Sequence, residues 1–152
     1  MKKIVTLLTI VSMVIGCFGA TKQNHVLTDK FIDALIRVES NGRDNAIGDN
    51  GKAVGCLQIW TDVVDDVNQL SKKKYSYSDR KNRAKSIEIC KAYLNRWGRH
   101  YQRKTGKVPT QEVYARIWNG GPNGHNNENT NKYWKKVRAY LSDDNNIHLF
   151  LT

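Results

Sequence analysis

Ala34-Leu35-Ile36-Arg37-Val38-Glu39-Ser40-Asn41-Gly42, running on to Gly55-Cys56-Leu57-Gln58-Ile59, is the stretch that decides how this chain is read. Phe31, Ile32, Leu35, Ile36 and Glu39 recur at three- and four-residue steps, so a helix places them on one face, and that face is otherwise apolar. Burial disfavours a charged carboxylate, so an acid on such a stripe keeps its proton to higher pH and becomes a candidate general acid. The plainer alternative is a helix-end glutamate that swings out to water or binds the N–H groups of the following loop. This window leaves both open.

Working toward the N-terminus, Thr28 suits the N-cap of a helix spanning about Asp29 to Ser40, and Asp29 suits the positive end of its dipole. Asn41-Gly42 supplies the stop. Residues 21–27 read as a tether. Before them, Lys2-Lys3, an apolar run from Ile4 to Ile15 and the small residues Gly16, Gly19 and Ala20 have the pattern of a secretory signal over residues 1–20. Cleavage after Gly19 or Ala20 gives a soluble product. Val14-Ile15-Gly16-Cys17 also resembles a bacterial lipobox, which would make Cys17 a lipidated first residue. The chain is therefore expected to be exported, as a periplasmic protein, an outer-membrane lipoprotein or a secreted one, touching a membrane only through an anchor at Cys17.

Toward the C-terminus, residues 41–52 are rich in Asn, Asp and Gly, which predicts a turn-laden loop or a short hairpin around Asp49-Asn50-Gly51. A buried segment from Val54 leads into a helix from about Thr61 or Asp62. Ser71 to Lys85 is basic and polar, a solvated loop. Ser78 or Asp79 is expected to open a long helix, because Ala84, Ile87, Cys90, Leu94, Trp97 and Tyr101 keep helical spacing, with Gly98 a mild cost inside it. Thr110 caps a helix carrying Val113, Tyr114, Ile117 and Trp118, and a last helix runs from about Thr130 to Leu141. The 152 residues hold one mainly α domain, residues 28–152.

With 25 Lys and Arg against 14 Asp and Glu the formal charge is +11, or +9 once Lys2 and Lys3 are removed. A polyanionic surface is the expected partner, and solubility alone would also account for the charge. The four histidines are scattered and no C-x-x-C or H-x-x-x-H occurs, so no metal and no cofactor is expected. There is no G-x-S-x-G and no phosphate-cradling G-x-x-x-x-G-K. What remains is an acid on an apolar face, with amides and flat rings that suit a sugar. Gln58 and Asn119 offer hydrogen bonds, and Trp60 and Trp118 flank them, whereas Trp97 and Trp134 lie on helical apolar stripes. Cys56 and Cys90 fit either a bridge or two buried thiols.

Four segments, in order, resemble the motifs of the soluble lytic transglycosylase domain family of the lysozyme-like superfamily. They are Glu39-Ser40, Gly55-Cys56-Leu57-Gln58, Ala115-Arg116-Ile117-Trp118-Asn119-Gly120-Gly121, and Thr130-Asn131-Lys132-Tyr133-Trp134-Lys135-Lys136-Val137. The resemblance covers about Thr28 to Leu141. It implies a lysozyme-like domain with a small hairpin or irregular loop after the catalytic helix, acting as a monomer on peptidoglycan strands and not on nucleic acid. It further implies Glu39 as acid/base and Ser40, Gln58, Trp118, Asn119 and Tyr133 around the substrate. Cys56 departs from an apolar family position, which raises a Cys56 to Cys90 bridge under the site. Trp118 stands where the family has Tyr, and Gly120 where it has Ala.

By that likeness Glu39 would break the bond between N-acetylmuramic acid and N-acetylglucosamine alone and form 1,6-anhydro ends. A hydrolytic lysozyme would need a second carboxylate, for which Asp44 and Asp49 are the candidates. Two rivals of other classes are a non-catalytic secreted glycan-binding module and a nucleic-acid binder using Lys72 to Arg83.

Overall fold

The computed structural model describes residues 26–143. The signal segment, the lipobox at Cys17 and most of the tether lie outside the described residues, as do residues 144–152. Five α-helices occur in order: α1 (Asp29–Ser40), α2 (Thr61–Leu70), α3 (Arg83–Thr105), α4 (Gln111–Gly120) and α5 (Asn131–Ser142). Between α1 and α2 lies a two-stranded antiparallel hairpin, β1 (Ile47–Gly48) and β2 (Ala53–Val54), with Ile47 opposite Val54 and Gly48 opposite Ala53. The mainly α reading and the hairpin after the first helix both hold.

Local chemistry explains the helix ends. Thr28 accepts a 3.1 Å hydrogen bond from the Phe31 N–H, and Asn41 adopts the left-handed conformation at φ 51° to close α1. Phe31, Ile32, Leu35 and Ile36 from α1 are buried with Leu57 and Ile59 beyond the hairpin. Each such side chain contributes about 1.5–3 kcal/mol on burial. α1 and α4 both pack along α5, while α3 lies against α2 and α4. Among the described residues no helix is long and apolar enough to cross a membrane.

Two expectations are corrected. The long helix starts at Arg83, because Ser76 and Asp79 form a capping box around a 3₁₀ turn over Tyr77–Lys81 and Asn82 then caps α3 through the Lys85 N–H. Gly98 is a contact point more than a cost. A Cβ there would lie 2.5 Å from the Tyr114 ring, so its absence lets α3 and α4 approach.

The 3₁₀ turn also clamps the hairpin. Arg80 donates to the carbonyls of Lys52 and Ile59 at 3.1 and 3.0 Å. The Arg80 carbonyl passes so close to Gly55, which has φ +84°, that a Cβ there would sit 1.8 Å from its oxygen. The segment carrying Gln58 is thus held from behind by the approach to α3.

Candidate active site

A cleft of about 380 Å³ opens between the hairpin side and the helices, and Glu39, Gln58, Trp118 and Asn119 all line it. These four come from the C-terminal turn of α1, the turn after β2, and the last turns of α4. Gln58 is held at a left-handed φ of 49°, and its side-chain N–H donates to the Gly55 carbonyl at 2.9 Å. Left-handed non-glycine backbone is costly, and such strain tends to gather at functional sites. Asn119 is exposed on the opposite wall.

The tyrosine of α5 reaches Glu39 from behind. The Tyr133 O–H donates a 2.7 Å hydrogen bond to Glu39 Oε1 and is itself buried. The structure therefore places Tyr133 against the acid and not along the cleft. Burial drives the Glu39 pKa up from 4.5 to about 7, against hydrogen bonds from Tyr133 and from Trp118 that favour the charged form, while Asp49 adds negative charge and Lys136 opposes it. Glu39 thus keeps a proton near neutrality while remaining open to the cleft. Trp118, which replaces a tyrosine of the resembled motif, still supplies a donor to the acid.

Ser40 is displaced from the expected group. It is buried, its hydroxyl donates to the Cys56 carbonyl at 2.8 Å, and it accepts from the Arg43 N–H at 3.0 Å. Its side chain ties α1 to the hairpin segment and faces away from the cleft lining. The bridge between Cys56 and Cys90 is not formed: both are free and buried. Burial pushes the thiol pKa of both cysteines up, and the negative charge of Asp44 adds to the rise at Cys56.

The two loop carboxylates separate. Asp44 pairs with Arg83 at 2.9 Å and is not among the cleft residues, whereas Asp49 lines the cleft. Trp60 lines it too, with the Lys52 ammonium 5.5 Å from its ring centroid. Sequence reading did not pick out Asp62, Val63 and Tyr93, which complete the wall. Asp62 carries the ordinary signature of an acid in a first helical turn and Tyr93 that of a core residue on α3, so neither gave a distinguishing signal. Among the described residues no group of three or more His, Cys, Asp or Glu could hold a metal.

A helical domain with a two-stranded wing, and a shielded acid in the cleft beside it, has the lysozyme-like fold. The chain belongs to the Transglycosylase SLT domain family, whose profile matches residues 16–141. Over 58 residues it is 43% identical to Lysozyme 1 of Crassostrea virginica, an alignment covering 38% of this chain and 29% of that protein. The chain thus matches under a third of the length of that curated relative. A chain in the crystal structure of Aeromonas hydrophila PliI in complex with Meretrix lusoria lysozyme shares the fold, with a TM-score of 0.62 at 19% identity, over 75% of this chain and 90% of that one.

Proposed function

We propose that the protein is a lytic transglycosylase that cleaves the β-1,4 bond between N-acetylmuramic acid and N-acetylglucosamine in peptidoglycan. The observation that carries this reading is Glu39, half-buried in the cleft with its pKa raised to about 7. Membership of the Transglycosylase SLT domain family supports it.

Glu39 donates its proton to the glycosidic oxygen as the bond from that oxygen to C1 of the muramoyl ring breaks. The ring's acetamido oxygen shares the positive charge at C1. Glu39, now a carboxylate held by Tyr133 and Trp118, takes the proton of the muramoyl C6 hydroxyl as that oxygen closes on C1. The acid is regenerated and no water is consumed. Acid/base work of this kind supplies on the order of 10²–10⁴-fold. Gln58 and Asn119 hold the acetamido and hydroxyl groups of the flanking rings, and Trp60 and Trp118 offer faces for stacking. Peptidoglycan lies outside the cytoplasm, in keeping with the signal read at the N-terminus.

One observation favours a second reading. Asp49 lines the same cleft and acts on the charge of Glu39, so it is the carboxylate a hydrolytic lysozyme would use to activate water. Mass spectrometry of peptidoglycan digestion products separates the two. Anhydro ends, lighter by one water, support the transglycosylase; reducing ends, together with loss of activity in Asp49→Asn, establish the lysozyme.

A further inference from the structure

Gly48 ends β1 opposite Ala53, and its backbone is ordinary extended strand at φ −128° and ψ 179°. Any residue adopts that conformation, so the conformational freedom of glycine is not what this position uses. What it uses is the missing side chain. A Cβ there would stand 2.4 Å from Gln58 Oε1, far inside van der Waals contact, whereas the next nearest atoms, Gln58 Cδ at 3.6 Å and the Ala53 Cβ at 3.7 Å, lie at ordinary packing distance. The bare strand carbon forms a seat, and the group seated on it is the amide oxygen of Gln58.

The other end of the amide is held as well. β2 lies between β1 and Ile59, which bridges back to Val54, so the Gln58 side chain passes over β2 to reach Gly48. Its Nε2 donates to the Gly55 carbonyl at 2.9 Å, and the same carbonyl accepts the Gln58 backbone N–H at 3.1 Å. A carbonyl oxygen can be met only by the nitrogen of the amide, which turns Oε1 toward β1. Gln58 and the neighbouring Asp49 both line the cleft. With one N–H engaged by Gly55, the amide has an acceptor oxygen and one remaining donor to offer a glycan.

We infer that Gly48 is a positioning residue: its missing Cβ makes the seat that fixes the Gln58 amide, oxygen toward β1, in the pose that meets the glycan. The amide is the far end of a flexible side chain, so a methyl group at residue 48 would push it aside and leave the hairpin standing. The loss then falls on recognition and not on the fold. Holding the amide in place before the sugar arrives removes the cost of ordering a rotamer-rich side chain on binding. This inference rests on the glycan-cleaving reading above.

The test is a double-substitution cycle in a Glu39→Gln parent, which holds glycan without turnover. A peptide-free tetrasaccharide of alternating N-acetylglucosamine and N-acetylmuramic acid is titrated by calorimetry into the parent, into Gly48→Ala, into Gln58→Ala and into the pair. Each single substitution is expected to weaken binding about tenfold, and the pair should bind no more weakly than Gln58→Ala alone. Thermal melts read the seat independently of glycan. In the Gln58→Ala background the seat is empty, and Gly48→Ala should raise the melting temperature, because alanine suits this backbone and restricts the unfolded chain. With Gln58 present no such rise is expected.

Full affinity in Gly48→Ala overturns the proposal. So do losses that add in the pair, which would mean that the new methyl group obstructs the cleft by itself. A melting temperature that falls equally in both backgrounds makes Gly48 a structural residue and overturns it too. A parent that binds no tetrasaccharide sinks the glycan-cleaving reading instead, and a rise in melting temperature confined to the Gln58→Ala background would still establish the seat.

Discussion

The Tyr133 hydroxyl reaches across 94 residues of sequence to donate a 2.7 Å hydrogen bond to Glu39 Oε1. It joins the last helix to the C-terminal turn of the first and stabilises the charged form of an acid that burial holds neutral. Tyr133→Phe removes that donor and leaves the ring packing. The Glu39 pKa should then rise, so the alkaline fall of the pH–rate profile moves up by roughly one pH unit while kcat drops about tenfold. A profile that keeps its alkaline limb would deny the hydrogen bond any part in setting the acid.

The same carboxyl makes stability depend on pH. Its folded pKa of about 7 lies above its ordinary 4.5, so the folded chain holds the proton more tightly than the unfolded one. That contribution is full below 4.5 and is lost as pH rises through about 7; it amounts to roughly 3 kcal/mol. Glu39→Gln cannot ionise. Thermal melts should show wild type losing stability across this window relative to the variant, and parallel curves for the two would contradict the assignment.

Ser40 is predicted to be structural. Ser40→Ala strands the Cys56 carbonyl and leaves the Arg43 N–H only its 3.4 Å bond to the Ser40 carbonyl, and it should cost about 1–3 kcal/mol in chemical denaturation. The affinity of the folded variant for glycan should stay that of wild type. Weaker glycan binding with unchanged stability would return Ser40 to the substrate.

At Gly98 two effects oppose each other. Alanine is favoured in a helix by about 1 kcal/mol, but its Cβ would meet the buried Tyr114 ring at 2.5 Å, and overpacking of that kind costs about 1–3 kcal/mol. Gly98→Ala should therefore lower the melting temperature. A rise would mean that α3 and α4 can separate cheaply.

The first helix could be read directly from the sequence because its signals are local: a cap at Thr28, a stop at Asn41 and an apolar stripe between them. The hairpin was legible for the same reason, through Asp49-Asn50-Gly51. What escaped depends on partners distant in sequence. The apolar period of α3 begins at Ala84, as the helix does within a residue, but Asp79 upstream, which resembles a helix-opening acid, closes a capping box with Ser76 around a separate 3₁₀ turn, and Asn82 caps α3. Asp44 resembled Asp49 as a loop carboxylate until Arg83, 39 residues away, claimed it. Ser40 adjoins the acid in sequence, but helical geometry turns it to the opposite side, against Cys56. Gly98 looked like a helix defect because the ring it admits belongs to another helix. Trp118 did not match the resembled motif by name, yet its indole supplies a donor to Glu39.

Everything proposed for the cleft depends on Glu39 as the carrier of the proton in glycan cleavage. That role is tested most directly by the release of soluble fragments from purified peptidoglycan by Glu39→Gln, with circular dichroism confirming the fold. A loss of at least about 10²-fold relative to wild type is expected. Activity within a few-fold of wild type would contradict it.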